Sequence, residues 1–419
     1  MTTSIDPTPD ATSVATEGLS GRERRHEAAR RGSPLQIGLA LFALAMGGFA
    51  IGTTEFVSMG LLPQIAAGVG VSIPTAGHVI SAYAIGVVVG APLIAVFGAR
   101  LPRRALLIGL MAVFLVGNAA SALATGFASL TAARFFAGLP HGAYFGVASL
   151  VAAGLVTAER RGRAVSGVML GLAFANVAGV PAATWLGQHA GWRSAYWLVT
   201  VLAALTAALV LWLVPHIAAN RDATGRNELS AFRNPQVLLT LLAGAIGFGG
   251  MFAVYTYIAP TVTDVAGLGK GLVPLYLLAM GVGMVVGTPL GGRLADWSIF
   301  RSLLISAVAM VLILVAFTVT SQWFVAGLLT VFSLTVSGSV LVTNLQMRLM
   351  QVAGDAQTIG AAMNHASLNV ANALGAWLGG VVVAAGFGYT SAAWVGAGLA
   401  LAGLLVLLAS AILQRRTPA

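Results

Sequence analysis

Between residues 37 and 413, apolar runs long enough to cross a bilayer alternate with short polar breaks. A hydrocarbon layer about 30 Å thick takes roughly 20 residues of helix to cross. On that measure the pattern predicts twelve membrane spans, at 37–60, 75–98, 104–124, 127–154, 164–187, 193–214, 235–259, 271–295, 302–320, 323–346, 356–384 and 391–413. The runs are continuously apolar rather than alternating, which excludes a β-barrel and makes the expected fold all-α. One break, 216–234, is longer than the others and divides the spans into six and six. The expected organisation is a disordered cytoplasmic N-tail over 1–34, a six-helix bundle over 35–215, a cytoplasmic linker over 216–234, a second six-helix bundle over 235–414 and a C-tail over 415–419.

Composition narrows the class further. The chain has 419 residues, 58% of them hydrophobic and 8% charged, where a soluble domain carries roughly 25% charged residues. A soluble enzyme and a disordered chain are both excluded. Cysteine is absent, which removes disulfides, thiolate metal sites and cysteine nucleophiles. The net charge of +10 is a matter of topology and gives no reason to invoke nucleic acid. Nineteen of the 22 basic residues fall in the tails or in loops on the same side, among them Arg100–Arg104 and Arg160–Arg163; the other three are Arg134, Arg193 and Lys270. The positive-inside rule then puts both termini in the cytoplasm of a cell (inner) membrane. The first apolar run is too long for a signal peptide and lacks a cleavage site, and the surroundings of Arg30-Arg31 do not make a twin-arginine signal.

The two halves repeat one another. Val88-Val89-Gly90-Ala91-Pro92-Leu93 in span 2 returns as Val285-Val286-Gly287-Thr288-Pro289-Leu290 in span 8, 197 residues later. Ala175-Asn176 followed by Gly179 in span 5 returns as Ala371-Asn372 followed by Gly375 in span 11, 196 residues later. Six spans per copy give both copies the same orientation, and such parallel repeats suit a carrier whose halves rock around a central site.

Four further stretches carry a family resemblance: Ile51-Gly52-Thr53-Thr54-Glu55-Phe56, Ser72-Ile73-Pro74-Thr75-Ala76-Gly77-His78, Pro140-His141-Gly142-Ala143-Tyr144-Phe145-Gly146 and Ala175-Asn176-Val177-Ala178-Gly179-Val180-Pro181. From residue 36 onward the chain resembles the major facilitator superfamily, and within it the twelve-span drug:proton antiporters of the arabinose-efflux-permease kind; it is also similar to chloramphenicol and multidrug exporters. The resemblance implies the major facilitator fold, a monomer, and an antiporter motif in span 5 containing Gly179 and Pro181. The superfamily's loop after span 2 usually reads Gly-x-Leu-Ala-Asp-Arg followed by a basic pair. Here it reads Gly98-Ala99-Arg100-Leu101-Pro102-Arg103-Arg104, with Ala99 in place of the Asp. The second copy keeps the acid, Gly292-Arg293-Leu294-Ala295-Asp296, with Arg301 following. In the family this Asp steadies one conformation through charged contacts, so the resemblance assigns gating to Asp296, Arg301, Arg103 and Arg104.

Of the twelve acidic residues only Glu55 lies within a span, and Arg134 is the only basic one inside. A buried carboxylate costs several kcal/mol unless it is paired or protonated, which makes Glu55 a functional candidate. Glu55 lies about 7 Å and Arg134 about 10 Å from the outer membrane face by helical rise, so the two can meet at similar depth. Either Glu55 carries a proton and Arg134 tunes it, or the pair is a permanent brace, or Glu55 snorkels to the outer interface. His141 follows Arg134 by seven residues on nearly the same helical face and is either a proton relay or substrate contact, or a neutral histidine bonded between helices. Tyr144 is either a cavity aromatic or packing. His365, Asn369 and Asn372 share one face of span 11 and line either a wet cavity or a helix interface, and Asn176 belongs with them. Gly138, Gly142 and Gly146 form a small-residue row for helix packing. Gly179 and Pro181 are expected to bend span 5.

The leading expectation is a secondary active exporter, proton in and small amphipathic molecule out, with membrane lipid as its surroundings. The alternative is proton-independent facilitated sugar efflux with Glu55 purely structural. No Walker-type loop supports primary transport. No Ser–His or paired-carboxylate arrangement supports an enzyme. No cofactor or metal is expected.

Overall fold

The computed structural model describes residues 33–98, 101–157, 160–216, 234–352 and 357–416. The predicted N-tail up to residue 32, Ala99 and Arg100, the linker from 217 to 233 and the last three residues lie outside them. Among the described residues the chain is helical, with no strand.

Each half opens with the same device. Ser33 accepts a hydrogen bond from the Gln36 backbone (3.3 Å) while the Gln36 side chain accepts one from the Ser33 backbone (2.8 Å), ahead of Pro34. Asn234 accepts from the Gln236 backbone (2.9 Å) ahead of Pro235. These caps satisfy first-turn donors, and proline sits where its missing N–H costs nothing. Span 1 then runs Pro34–Gly60, span 2 Ile73–Gly98, span 3 Arg103–Leu123, span 4 Phe127–Gly154 and span 6 Arg193–Leu213. A short helix, Leu62–Val69, follows span 1.

The bend expected in span 5 takes the form of a π turn, Ala175–Gly179, between Arg161–Phe174 and Val180–Ala190. Pro181 has no N–H to continue an α-helical ladder, and the wider turn lets the Val180 N–H donate to the Ala175 carbonyl instead. Span 7 is more broken than its apolar run suggests: Pro235–Gly247, Gly249–Thr256 and a single turn Ile258–Pro260, closing in a π turn Thr261–Val265. Span 10 is Phe324–Val352, span 11 is Gln357–Val382 with a π turn Val383–Phe387, and span 12 is Ser391–Arg416.

By length alone eleven helices among the described residues can cross a membrane, because Val273–Thr320 is one run of 48 residues. Such a run is about 72 Å long, more than twice the hydrocarbon thickness. It breaks at Ser298, whose φ of −171° and ψ of 111° are not helical. Spans 8 and 9 therefore meet at Ser298 in place of a polar break between 295 and 302, and the described residues form twelve spans. Ser302 staples the corner, its hydroxyl donating to the Leu294 and Ser298 carbonyls (2.7 Å each).

The repeat is visible in the packing. Gly86 and Gly90 leave no room for a side chain against the Phe135 and Leu139 carbonyls, and Gly283 and Gly287 do the same against the Phe332 and Val336 carbonyls. Each member of the second set lies 197 residues after its counterpart. Spans 2 and 4, and spans 8 and 10, thus meet through glycine backbone in the same register. Gly138 and Gly142 also pack on span 2, whereas Gly146 faces open space.

The end of the bundle carrying Pro34 and Arg416 is called here the terminal face, and the other end the distal face. One buried core joins the halves toward the distal face, through Phe56, Val79 and Tyr196 on one side and Phe252, Tyr257 and Leu277 on the other. Toward the terminal face the first half has a core of its own around Leu44, Leu107, Phe114 and Val168. The outside is apolar, with exposed Leu, Val and Trp along the spans, as a lipid-facing surface requires.

Candidate functional site

Arg134 enters the first half from span 4 and is fully buried. Its Nη1 donates to Thr54 Oγ1 (2.9 Å) and its Nη2 to the Thr54 carbonyl (3.1 Å). The Thr54 hydroxyl donates onward to Asn118 Oδ1 (2.6 Å), and Asn118 is tied to the Phe114 carbonyl (2.8 Å). The guanidinium lies 4.3 Å from the Tyr83 ring centre and 5.3 Å from that of Tyr196, whose hydroxyl bonds Ser58 (2.8 Å). A buried cation is tolerated when carbonyl oxygens and ring faces replace its water. The charge is thus fixed by spans 1, 2, 3, 4 and 6, all in one half.

Glu55 is the residue after Thr54 and is 6% exposed. Arg134, Tyr83 and Tyr255 lie within its electrostatic reach. Among the described residues no hydrogen bond or ion pair holds its carboxyl. Glu55 and Arg134 thus share a neighbourhood without forming the direct brace that sequence alone left open.

A second string of side chains runs from this centre to the seam between the halves. His141 Nδ1 bonds the Tyr83 hydroxyl at 3.0 Å. The His141 ring lies 5.4 Å from that of Phe145, and Phe145 stacks on His365 of span 11 at 5.7 Å with the planes 4° apart. Asn176 is fully used: its Nδ2 donates to the Leu172 carbonyl (3.0 Å) and its Oδ1 accepts from Tyr255 of the other half (3.3 Å). Asn369 donates to the His365 carbonyl (3.0 Å), leaving its Oδ1 buried and unpaired. Asn372 is fully buried, with neither amide atom paired among the described residues. Tyr144 stands apart, pressed on span 1 with its hydroxyl donating to the Leu44 carbonyl (2.9 Å).

Contacts across the seam concentrate toward the distal face. Gln188 donates to the Lys270 carbonyl (3.0 Å), Ser81 to the Ala373 carbonyl (3.2 Å), and Phe56 lies on Phe252 and Tyr255. Phe145–His365 is the seam ring pair nearest the terminal face. Near that face, Arg104 donates to the Leu211 carbonyl within its own half, Arg301 lies over Trp297 (5.4 Å), and Asp296 is exposed without an ion pair among the described residues. Gly179 packs against Thr53 and Phe49 of span 1, and Pro181 opens the helix after the π turn.

Sequence reasoning found Glu55, Arg134 and the histidines because ionisable groups stand out in apolar runs. It did not single out Thr54, Tyr83, Asn118, Phe145, Tyr196 or Tyr255. A polar Asn118 inside span 3 was the one visible hint; the tyrosines pass for ordinary packing until their hydroxyl partners are known.

Twelve spans in two parallel six-helix repeats, with buried ionisable groups beside the seam, define a multi-pass carrier. The profile of the Major Facilitator Superfamily matches residues 44–367. The inner membrane transport protein YdhP of Escherichia coli (strain K12) is 40% identical over 388 residues, covering 91% of this chain and 98% of that one. A chloramphenicol resistance protein of Streptomyces lividans is 38% identical over 360 residues, covering 84% and 90%. The crystal structure of a D-xylose-proton symporter superposes with a TM-score of 0.71 at 17% identity, covering 88% of this chain and 97% of that one, a likeness of fold. The chain belongs to the major facilitator superfamily and is a multi-pass membrane transporter with relatives of the efflux type.

Proposed function

We propose that the protein is a proton-coupled exporter of a small amphipathic molecule, working by alternating access. The observation that carries this reading is Glu55, the one acid within the apolar runs, set beside a fixed Arg134 and held by no hydrogen bond or ion pair among the described residues. A carboxyl without bonded partners takes up or releases a proton without breaking a contact, while Arg134, anchored to Thr54, keeps the local field constant. Tyr83 and His141 connect this pair to the seam, where His141, Asn176, His365, Asn369 and Asn372 form the substrate region, with Tyr144 supporting it from behind. The similarity to a chloramphenicol resistance protein supports export of a drug-like molecule.

The placement of basic residues supports both termini in the cytoplasm, and the similarity to an inner membrane protein supports that membrane. On this reading the terminal face is the cytoplasmic one, and the contacts gathered toward the distal face support an inward-facing state. Asp296 and Arg301, unpaired with each other here, together with Arg103 and Arg104, act when the terminal face closes, and the Gly179–Pro181 region lets span 5 flex between the states.

The test uses proteoliposomes with a pH-sensitive dye inside, an imposed proton gradient, and phenicols, cationic dyes and pentoses as substrates. Substrate-triggered proton movement that disappears in Glu55→Gln is expected. Substrate flux without proton movement, unchanged by Glu55→Gln, refutes the coupling and leaves a facilitator with a structural glutamate.

A further inference from the structure

Asn176 and Asn372 occupy equivalent places in spans 5 and 11, yet their amides meet different fates. Both ends of Asn176 are bonded, one to Leu172 and one to Tyr255 across the seam. Asn372 is as deeply buried, and among the described residues neither its Nδ2 nor its Oδ1 has a partner. One turn away on the same face, Asn369 leaves a second buried acceptor unpaired. A buried polar atom without a partner is costly, more so where the alternative surroundings are hydrocarbon. The same face carries His365, stacked on Phe145. Those two rings come from different halves, so the motion that parts the halves uncovers an aromatic face on each.

We infer that Asn372, with Asn369 and the Phe145–His365 ring pair, recognises an uncharged substrate that carries a flat aromatic ring and, beside it, a hydrogen-bond donor and acceptor such as an amide or paired hydroxyls. A carboxamide with both ends free is matched by a molecule that offers an acceptor to its Nδ2 and a donor to its Oδ1. The face from His365 to Asn372 carries no carboxylate, so a cationic dye gains no ion pair there. A bare pentose gains no stacking. The inference rests on the export reading only in placing the substrate at this seam.

Two measurements on the full-length protein test it. In detergent without ligand, Asn372→Leu removes two unpaired polar atoms and raises the melting midpoint by roughly 2 °C or more, whereas Asn176→Leu breaks real bonds and lowers it. Shifts in the same direction for both variants overturn the inference. In lipid nanodiscs, chloramphenicol (neutral, aromatic, with an amide and two hydroxyls) is titrated against the wild type and Asn372→Leu, with ethidium and arabinose alongside. Wild-type binding of chloramphenicol in preference to the other two is expected, weakened about ten- to hundredfold in Asn372→Leu by the loss of two hydrogen bonds. A variant within twofold of wild type, or a wild type that does not bind chloramphenicol, overturns it. Proton-coupled flux of ethidium or arabinose that ignores Asn372→Leu leaves the export reading standing and this inference refuted. Chloramphenicol binding that depends on Asn372, with no proton movement in liposomes, does the reverse.

Discussion

Replacing Gly281 by alanine tests the distal closure without touching an ionisable group. A Cβ there lies 2.5 Å from the Asn176 carbonyl carbon and 2.9 Å from the Val177 nitrogen, both backbone atoms of the opposite half. Ordinary contact begins near 3.4 Å and the Asn176 carbonyl oxygen lies closer still than its carbon, so one half has to retreat from the other by about 1 Å. Backbone cannot turn aside as a side-chain tip does, and such overpacking costs about 1–3 kcal/mol. Because the clash exists only where the halves meet, the cost falls on the distal-closed state, and the population open at that face rises about 5- to 150-fold. The chain has no cysteine, so Thr184→Cys, buried at the distal seam beside Gly60, supplies the only thiol for a maleimide. Its labelling rate in detergent reports the open fraction when opening is fast relative to reaction. An increase of at least fivefold with Gly281→Ala is expected, and none with Gly146→Ala, where a Cβ meets nothing within 4 Å. An unchanged rate in a folded Gly281→Ala protein refutes the account of the seam.

Glu55→Gln is expected to leave the melting midpoint within about 1 °C of wild type, since no bond is lost; a drop of several degrees would show a structural brace. Arg134→Lys is expected to destabilise more than Arg134→Met, read by the same melt, because an ammonium cannot keep the two-pronged hold on Thr54 and leaves a poorly paired buried charge, whereas methionine removes the charge. Thr54→Val keeps the shape and strips a charge-assisted bond from Arg134, for a loss of about 1.5–3 kcal/mol in denaturant or thermal unfolding; no loss means that Asn118 and water take over. Tyr83→Phe retains the ring under Arg134 and removes only the bond to His141, so stability falls by about 1 kcal/mol while proton-coupled transport slows; transport at the wild-type rate would remove Tyr83 from the path.

The membrane class, the twelve spans and the parallel repeat were legible in sequence because hydrocarbon imposes one rule on every residue of a span. That rule has no bearing on how spans join, and so the corner at Ser298 shows in the sequence only as a break between two apolar runs. The π turn at 175–179 was legible only as a bend, since Gly179 and Pro181 announce a broken ladder but not which carbonyl the next N–H will find. The ionisable members of the site were legible for the same reason as the spans: each is an exception to the rule. Their partners were not. Thr54, Tyr83 and Tyr196 become a cradle for Arg134 only through the packing of five helices, and Asn372 differs from Asn176 only in what lies opposite.

The chemistry also breaks the repeat. At the offset of 197 that the glycine contacts obey, Tyr83, Arg134 and His141 correspond to Met280, Val331 and Gly338. The first half therefore carries a permanent positive charge at a place where the second has Val331. On the proton-coupled reading, the buried Glu55–Arg134 site has a net charge of about one when the carboxyl is protonated and none when it is ionised. For an uncharged cargo, the two legs of the cycle then differ in electrical work, at about 2.3 kcal/mol for each elementary charge that crosses the whole of a 100 mV potential. On that reading Arg134 makes membrane voltage, alongside the pH difference, a determinant of which leg of the cycle is slow.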